Sequence, residues 1–140
     1  MKVQFTIPGK IQAKERPRFG KKGKVYTPRK SLAFEESVQW SFKKECKDCR
    51  VAIYRGPLSV LMTIWREVPT HWPKWKKKQA IEGTIRPTSR PDLDNYVKGI
   101  LDGLNGIAYH DDSQVTYLMV TKEYGLRAEA NVTLDYEDLP

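Results

Sequence analysis

The 140-residue sequence predicts a single α/β (α+β) domain over residues 1–140, with one mixed β-sheet and helices packed on it. Three observations predict it. Stretches of alternating apolar and polar residues stand at both ends of the chain, the period of half-buried strands. Two stretches with an apolar stripe at helical spacing lie between them. A hydrophobic fraction of 39% and an aromatic fraction of 11% suffice for one substantial core and argue against disorder.

Val3, Phe5 and Ile7 alternate with Lys2, Gln4 and Thr6 to give the first strand, and Pro8-Gly9 turns the chain. Ile11-Gln12-Ala13 is expected to pair back. Next comes K-E-R-P-R-F-G-K-K-G-K-V-Y, where Gly20 and Gly23 bracket Lys21-Lys22 as a mobile hairpin tip. Thr27-Pro28 reads as an N-cap followed by a first-turn proline. It opens a helix whose stripe is Phe34, Val38, Phe42 and Cys46, and Asp48 to Gly56 then form a loop. Leu58 to Trp65 is apolar on both alternating faces, the pattern of a central strand. Pro69 and Pro73 break the next segment, T-H-W-P-K-W-K-K-K, which reads as a basic, aromatic patch. Thr84 to Pro91 is a polar, proline-punctuated approach to a second helix. That helix carries Leu93, Val97, Ile100, Leu101 and Leu104 on one face, and Asn105-Gly106 stops it. Val115 to Tyr124 reads as a strand, Gly125 as a turn, and Ala130, Val132 and Leu134 as the last strand. No internal repeat or linker interrupts the series.

The formal charge of +8 favours a polyanionic partner. The charge is also unevenly placed. Residues 10–30 hold nine Lys/Arg against Glu15 alone, while residues 102–140 hold eight Asp/Glu against Lys122 and Arg127. One basic docking surface explains this asymmetry, and an ordinary solvated face is the alternative. The candidates for DNA backbone contact are Arg16, Arg18, Lys21, Lys22 and Lys24, with Phe19 and Tyr26 at hand for stacking. Lys74 and Lys76 beside Trp72 and Trp75, and Arg86 with Arg90, extend the set. Neither a membrane-spanning run nor a signal-peptide pattern is visible, so a cytoplasmic protein is expected. Cys46 and Cys49 form a single C-x-x-C among charged residues; one pair cannot complete a four-ligand zinc site.

The chemistry is concentrated in R-P-D-L-D-N-Y-V-K-G-I-L-D-G-L-N-G-I-A-Y-H-D-D-S-Q-V, residues 90–115, with five carboxylates in a basic chain. Asp92 and Asp94 stand two apart at a helix entrance, where an extended backbone puts both carboxylates on one side. Lys98 follows Asp94 by four and sits beside it on a helix. Asp111 and Asp112 return from the loop after that helix, and Asp102 lies two turns beyond Asp94. Gathered carboxylates repel unless a cation compensates them, and oxygen ligands without His or Cys select Mg²⁺, with Mn²⁺ as a substitute. Such sites hydrolyse phosphodiesters, with a nearby lysine countering developing charge. Each feature also has a structural reading: Asp92 as a cap, Asp94–Lys98 as a surface pair, and Asp111-Asp112 as a turn. His110 neighbours the site and reads as an ordinary lone histidine, Asn95 as a residue that organises the turn or supports the ligands from outside, and Asp102 as a structural or outer partner.

Several motifs together resemble the RusA-type Holliday junction resolvases. They are R-P-D-L-D-N, Lys98 four beyond the second Asp, L-D-G-L-N-G and D-D-S-Q-V, with R-P-R at Arg16–Arg18 and Y-T-P-R-K at Tyr26–Lys30. The resemblance spans essentially the whole domain and implies a RusA-like fold. It implies a homodimeric, Mg²⁺-dependent endonuclease that cuts four-way DNA junctions by paired symmetric nicks in recombination and repair, often prophage-encoded. By motif, Asp92, Asp94 and Asp112 are the metal-binding catalytic acids, Lys98 is the catalytic lysine, and Asp111 matches the first acid of the D-D pair. A nuclease for flaps or forks, and a non-catalytic nucleic-acid-binding module, are the alternatives.

Overall fold

A computed structural model describes residues 1–14, 18–19, 23, 25–26 and 29–140. Strand β1 (Lys2–Pro8) alternates as the sequence predicts, with Val3, Phe5 and Ile7 turned inward. Gly9 then turns the chain at a φ of 82°. Residues 11–13 form no strand. Instead this segment lies along a later helix, where the Lys14 amide donates to the Asn95 carbonyl at 3.0 Å and Ile11 is buried. Strands β2 (Arg18–Phe19) and β3 (Val25–Tyr26) pair antiparallel, the register expected of the two arms of the basic hairpin. The lysines of its tip and the cap at Thr27-Pro28 lie outside the described residues.

Helix α1 (Arg29–Glu45) buries Phe34, Val38 and Phe42 on one face. The segment after it contains a 3-10 turn, Cys49–Ile53, where a plain loop was expected; the Asp48 carboxylate caps it by accepting from the Arg50 amide at 2.9 Å. Both cysteines are free thiols. Strand β4 (Leu58–Glu67) follows. The proline-punctuated patch then contains a helix that periodicity did not reveal, α2 (Lys74–Ile81). Its lysines, Gln79 and Ala80 are good helix formers without an apolar stripe, so propensity rather than pattern was the available signal. Helix α3 (Leu93–Leu104) buries Val97, Ile100, Leu101 and Leu104, and Gly106 at φ 74° follows its C-cap as predicted. Strands β5 (Val115–Gly125) and β6 (Glu129–Tyr136) complete the chain.

The four long strands form one mixed sheet in the order β1-β6-β4-β5. Only β4 and β5 run parallel, and the crossover between them carries α2 and α3. Strand β4 is therefore interior in the sheet order, as predicted, but only one sheet face is covered by helices α1 and α3. On the open face Leu61, Tyr117 and Met119 keep 38%, 50% and 49% of their surface exposed. Close packing of α3 depends on two small residues. A Cβ at Gly99 would stand 2.9 Å from the Gln12 carbonyl oxygen, and one at Gly103 would stand 3.2 Å from Val38 Cβ. These glycines let the Ile11–Lys14 segment and α1 approach α3 closely, and so fix the helix that carries the acidic residues.

Candidate active site

Asp92 is the N-cap residue of α3, in extended conformation with φ −68° and ψ 151°. Its backbone opens the helix in the ordinary way, its carbonyl accepting from the Asn95 and Tyr96 amides at 3.2 and 3.3 Å. Its side chain makes no capping bond, so the carboxylate is not used to satisfy the helix end. Asp94, in the first turn, is exposed and accepts only from its neighbour's amide, Asn95, at 3.0 Å among the described residues. Two exposed carboxylates thus stand at the positive end of a helix dipole, where negative charge is favoured.

Upstream, the three residues before Asp92 are held from the sheet. Arg66 Nη1, on β4, donates to the Ser89 carbonyl (3.2 Å), the Ser89 hydroxyl (2.9 Å) and the Arg90 carbonyl (3.2 Å). Lys122 Nζ, on β5, donates to the Ser89 and Pro91 carbonyls, both at 3.1 Å. The Arg90–Pro91 bond is cis.

Downstream, Lys98 does not pair with Asp94 as the four-residue spacing predicts. Its ammonium reaches the other way, to Asp102 Oδ1 at 2.9 Å and Asp112 Oδ2 at 3.4 Å. Two carboxylates in that direction outcompete one in the other. Asp102, whose side chain keeps 16% exposure, also binds Lys14 at 3.1 Å, and Lys14 binds Glu35 at 3.2 Å. A continuous chain of ion pairs therefore runs Asp112–Lys98–Asp102–Lys14–Glu35, with Asp102 at its centre in the structural role expected of it. The hydrogen bond to Asp102 is the main cause that raises the Lys98 pKa. Burial works against the charge of Lys14, but its bonds to Asp102 and Glu35 outweigh that, and its pKa also rises.

The two acids after the helix divide their tasks. Asp111 caps a 3-10 turn, Asp112–Gln114, in a reciprocal capping box with Gln114. Its carboxylate accepts from the Ser113 amide at 3.2 Å, and bonding with Ser113 holds its pKa below the usual carboxylate range. Gln114 also ties this turn to the start of β4, donating to the Tyr54 and Gly56 carbonyls at 2.8 and 3.0 Å. Asp112 faces α3 instead, and its amide donates to Asn105 Oδ1 at 2.9 Å. Beneath the loop, the buried phenols of Tyr109 and Tyr136 donate to the Leu101 and Ala108 carbonyls at 2.7 and 2.6 Å.

The structure thus separates the acids into two groups. Asp92 and Asp94 lie at the start of α3. Asp112 lies by Lys98 and Asp102, and Asp102 is about 12 Å along the helix axis from Asp94 at 1.5 Å per residue. Among the described residues, no three His, Cys, Asp or Glu side chains converge closely enough to hold one metal ion between them. His110 is exposed beside Asp111.

Of the basic candidates, Arg16, Lys21, Lys22, Lys24 and the side chain of Arg18 lie outside the described residues. Lys74 and Arg90 are exposed, and Arg86 pairs with Glu123 at 3.6 Å. The two tryptophans differ. Trp72 packs edge-on against Tyr124 with the Lys76 ammonium 4.0 Å over its ring, whereas Trp75 stays 62% exposed. The sequence pattern gave no role in the site to Arg66, Lys122 or Gln114, and none to Asn105 beyond ending the helix. Gln114 stands three residues after Asp111, the spacing of a capping box. Arg66 is in phase with buried Val60, Met62 and Ile64, an inward-pointing charge that the strand pattern already contained.

Two comparisons complete the description. The family model described as endodeoxyribonuclease RusA matches residues 8–135. The uncharacterized protein YqaN of Bacillus subtilis (strain 168) is 37% identical over 137 residues, covering 94% of each chain.

Proposed function

This chain belongs to the RusA endodeoxyribonuclease family, and on that premise we propose that it resolves four-way DNA junctions as a Mg²⁺-dependent homodimer. In this reading it makes paired symmetric nicks during recombination or repair in the cytoplasm. The observation that carries the proposal is the pair of exposed carboxylates at Asp92 and Asp94, the first of which declines the capping bond open to it. The donor chemistry fits Mg²⁺, which one or two carboxylates hold together with waters and substrate phosphates. Asp92 and Asp94 are the proposed ligands, and Asp112 is the third acid that the family motif implies. A bound divalent ion supplies charge to the phosphate and lowers the pKa of a bound water.

The chain's own residues do the rest. Asp112 and Asp102 keep the Lys98 ammonium charged and extended along the outside of α3. To counter negative charge on a phosphate seated at the Asp92–Asp94 end, the ammonium would swing back from Asp102 and Asp112 toward the start of α3. Arg90, exposed and two residues before Asp92, is proposed to bind an adjoining phosphate. The basic hairpin, with Arg16, Arg18, Lys21, Lys22 and Lys24, is proposed to follow a junction arm, and Lys74 and Lys76 with Trp75 to contact another.

Paired nicks require two active sites, and a two-fold dimer supplies them. Edge strand β5 supports this part of the reading. Thr116 to Met119 are all exposed, Ser113 to Thr121 hold no charge, and no proline guards the edge. Natural edge strands left free in solution usually carry such guards. No helix of the described residues is long and apolar enough to cross a membrane.

The test is cleavage of a synthetic four-way junction beside flaps, forks and linear duplex, with and without Mg²⁺. Preferential Mg²⁺-dependent nicking of the junction is expected. Preferential cutting of flaps or forks would reassign the substrate, and binding without cutting would make the protein a junction-binding module.

A further inference from the structure

We infer that Arg66 and Lys122 are positioning residues of the active site, acting together as a clamp on the segment that presents Asp92. This inference rests on the proposed nuclease reading.

The geometry is unusual for two cations. Arg66 ends the inward-facing series Val60, Met62, Ile64 on β4, and Lys122 follows Val120 on the same side of β5. Both are half-buried on neighbouring parallel strands. Charged groups in such positions normally pair with carboxylates, because taking an ion from water is costly without a partner. Neither has a carboxylate within ion-pair distance among the described residues; both donate instead to neutral oxygens of Ser89, Arg90 and Pro91. Three successive backbone carbonyls are turned toward the sheet to meet them. Hydrogen bonds from a charged donor are about twice as strong as neutral ones, so they tie down the exposed Ser89–Arg90 stretch, whose own residues bury little surface.

The consequence falls on the next residue. Asp92 is fixed upstream by this clamp and downstream by its own carbonyl, which starts α3. Its backbone is thereby set on both sides while its carboxylate stays uncommitted. Holding a ligand in place without occupying it is what an outer positioning group does.

The experiment compares Arg66→Met and Lys122→Met, which keep the aliphatic stem against the sheet, with the charge-keeping Lys122→Arg. Four readouts are taken: amide hydrogen exchange across residues 89–96, Mn²⁺ affinity of the free protein by electron paramagnetic resonance, junction affinity, and single-turnover cutting. The Met variants should exchange faster at 89–96 with β4 and β6 unchanged. They should also bind Mn²⁺ and cut about tenfold or more less well, the usual loss for an outer partner, while junction affinity stays within about threefold. Lys122→Arg should recover most of the loss. Unchanged exchange at 89–96 would overturn the clamp, as would weakened junction binding with undiminished cutting, since the cations would then act on DNA directly. If the wild-type protein neither binds Mn²⁺ nor cuts, the nuclease reading fails, and the exchange measurement still decides the clamp.

Discussion

Replacing Tyr109 with Phe deletes a single oxygen atom at the base of the acidic loop. The Tyr109 side chain is fully buried, and its hydroxyl donates to the Leu101 carbonyl at 2.7 Å. Leu101 is in the last turn of α3, where carbonyls lack the next turn's amides. The Asn105 amide, which would serve Leu101 in a longer helix, donates to Asp102 instead. The phenol is this carbonyl's replacement partner, and burial raises its pKa, so it remains a neutral donor. Phe keeps the ring and its packing but strands a buried carbonyl. The expected loss is about 1–3 kcal/mol, which lowers the melting temperature by about 3–4 °C per kcal/mol in a domain this size. Equilibrium urea unfolding followed by circular dichroism should show a lower midpoint with an unchanged slope. Tyr136→Phe removes the bond to Ala108 in the same loop, so the double variant should depart from additivity. A loss below about 0.5 kcal/mol for Tyr109→Phe would mean that the Leu101 carbonyl has another partner, and the role given to the phenol would fall.

Other expectations follow from the same geometry. Gly99→Ala gains about 1 kcal/mol of helix propensity, but its Cβ meets a backbone oxygen at 2.9 Å, so thermal unfolding should show a net loss of about 1–2 kcal/mol. Asp111 has a lowered folded pKa, so its stabilisation is present above its unfolded pKa and lost as pH falls through the folded one. Asp111→Asn should therefore destabilise the protein near neutrality and leave wild type and variant alike below the carboxylate range, read by unfolding across pH. Replacing Lys21, Lys22 and Lys24 with Ala should flatten the salt dependence of junction binding by about 0.9 log unit for each phosphate that is no longer neutralised; an unchanged slope would remove the hairpin tip from the interface.

Much of this architecture was written in periodicity. The alternation at Val3, Phe5 and Ile7, the stripe of Phe34, Val38 and Phe42, and the face of Leu93, Val97 and Leu104 each encode which side meets the core. Helix α2 escaped because its face is lysine-rich, and segment 11–13 misled because three residues carry too little pattern to separate a strand from a strap along a helix. In the site, spacing located Asp92 and Asp94 at a helix start but could not say that Asp92 leaves its cap bond unmade. It also set Lys98 beside Asp94, since helix geometry allows partners four residues away in either direction. Asp102 was one of those two partners, but the added pull of Asp112 depended on a loop folded back by Asn105, Tyr109 and the contact of Gln114 with Tyr54, interactions between residues that no local pattern joins.

In the proposed reading, the uncommitted carboxylates at the start of α3 are what make this protein a metal-dependent junction nuclease. The decisive measurement is single-turnover cleavage of a four-way junction by wild type, Asp92→Asn and Asp94→Asn, in Mg²⁺ and in chelator, with junction binding measured alongside. Wild type should nick only in Mg²⁺. Both folded variants should bind the junction at least as tightly, their negative charge being reduced, and leave it uncut. Wild-type cutting in chelator, or cutting by either variant at the wild-type rate, would contradict this reading.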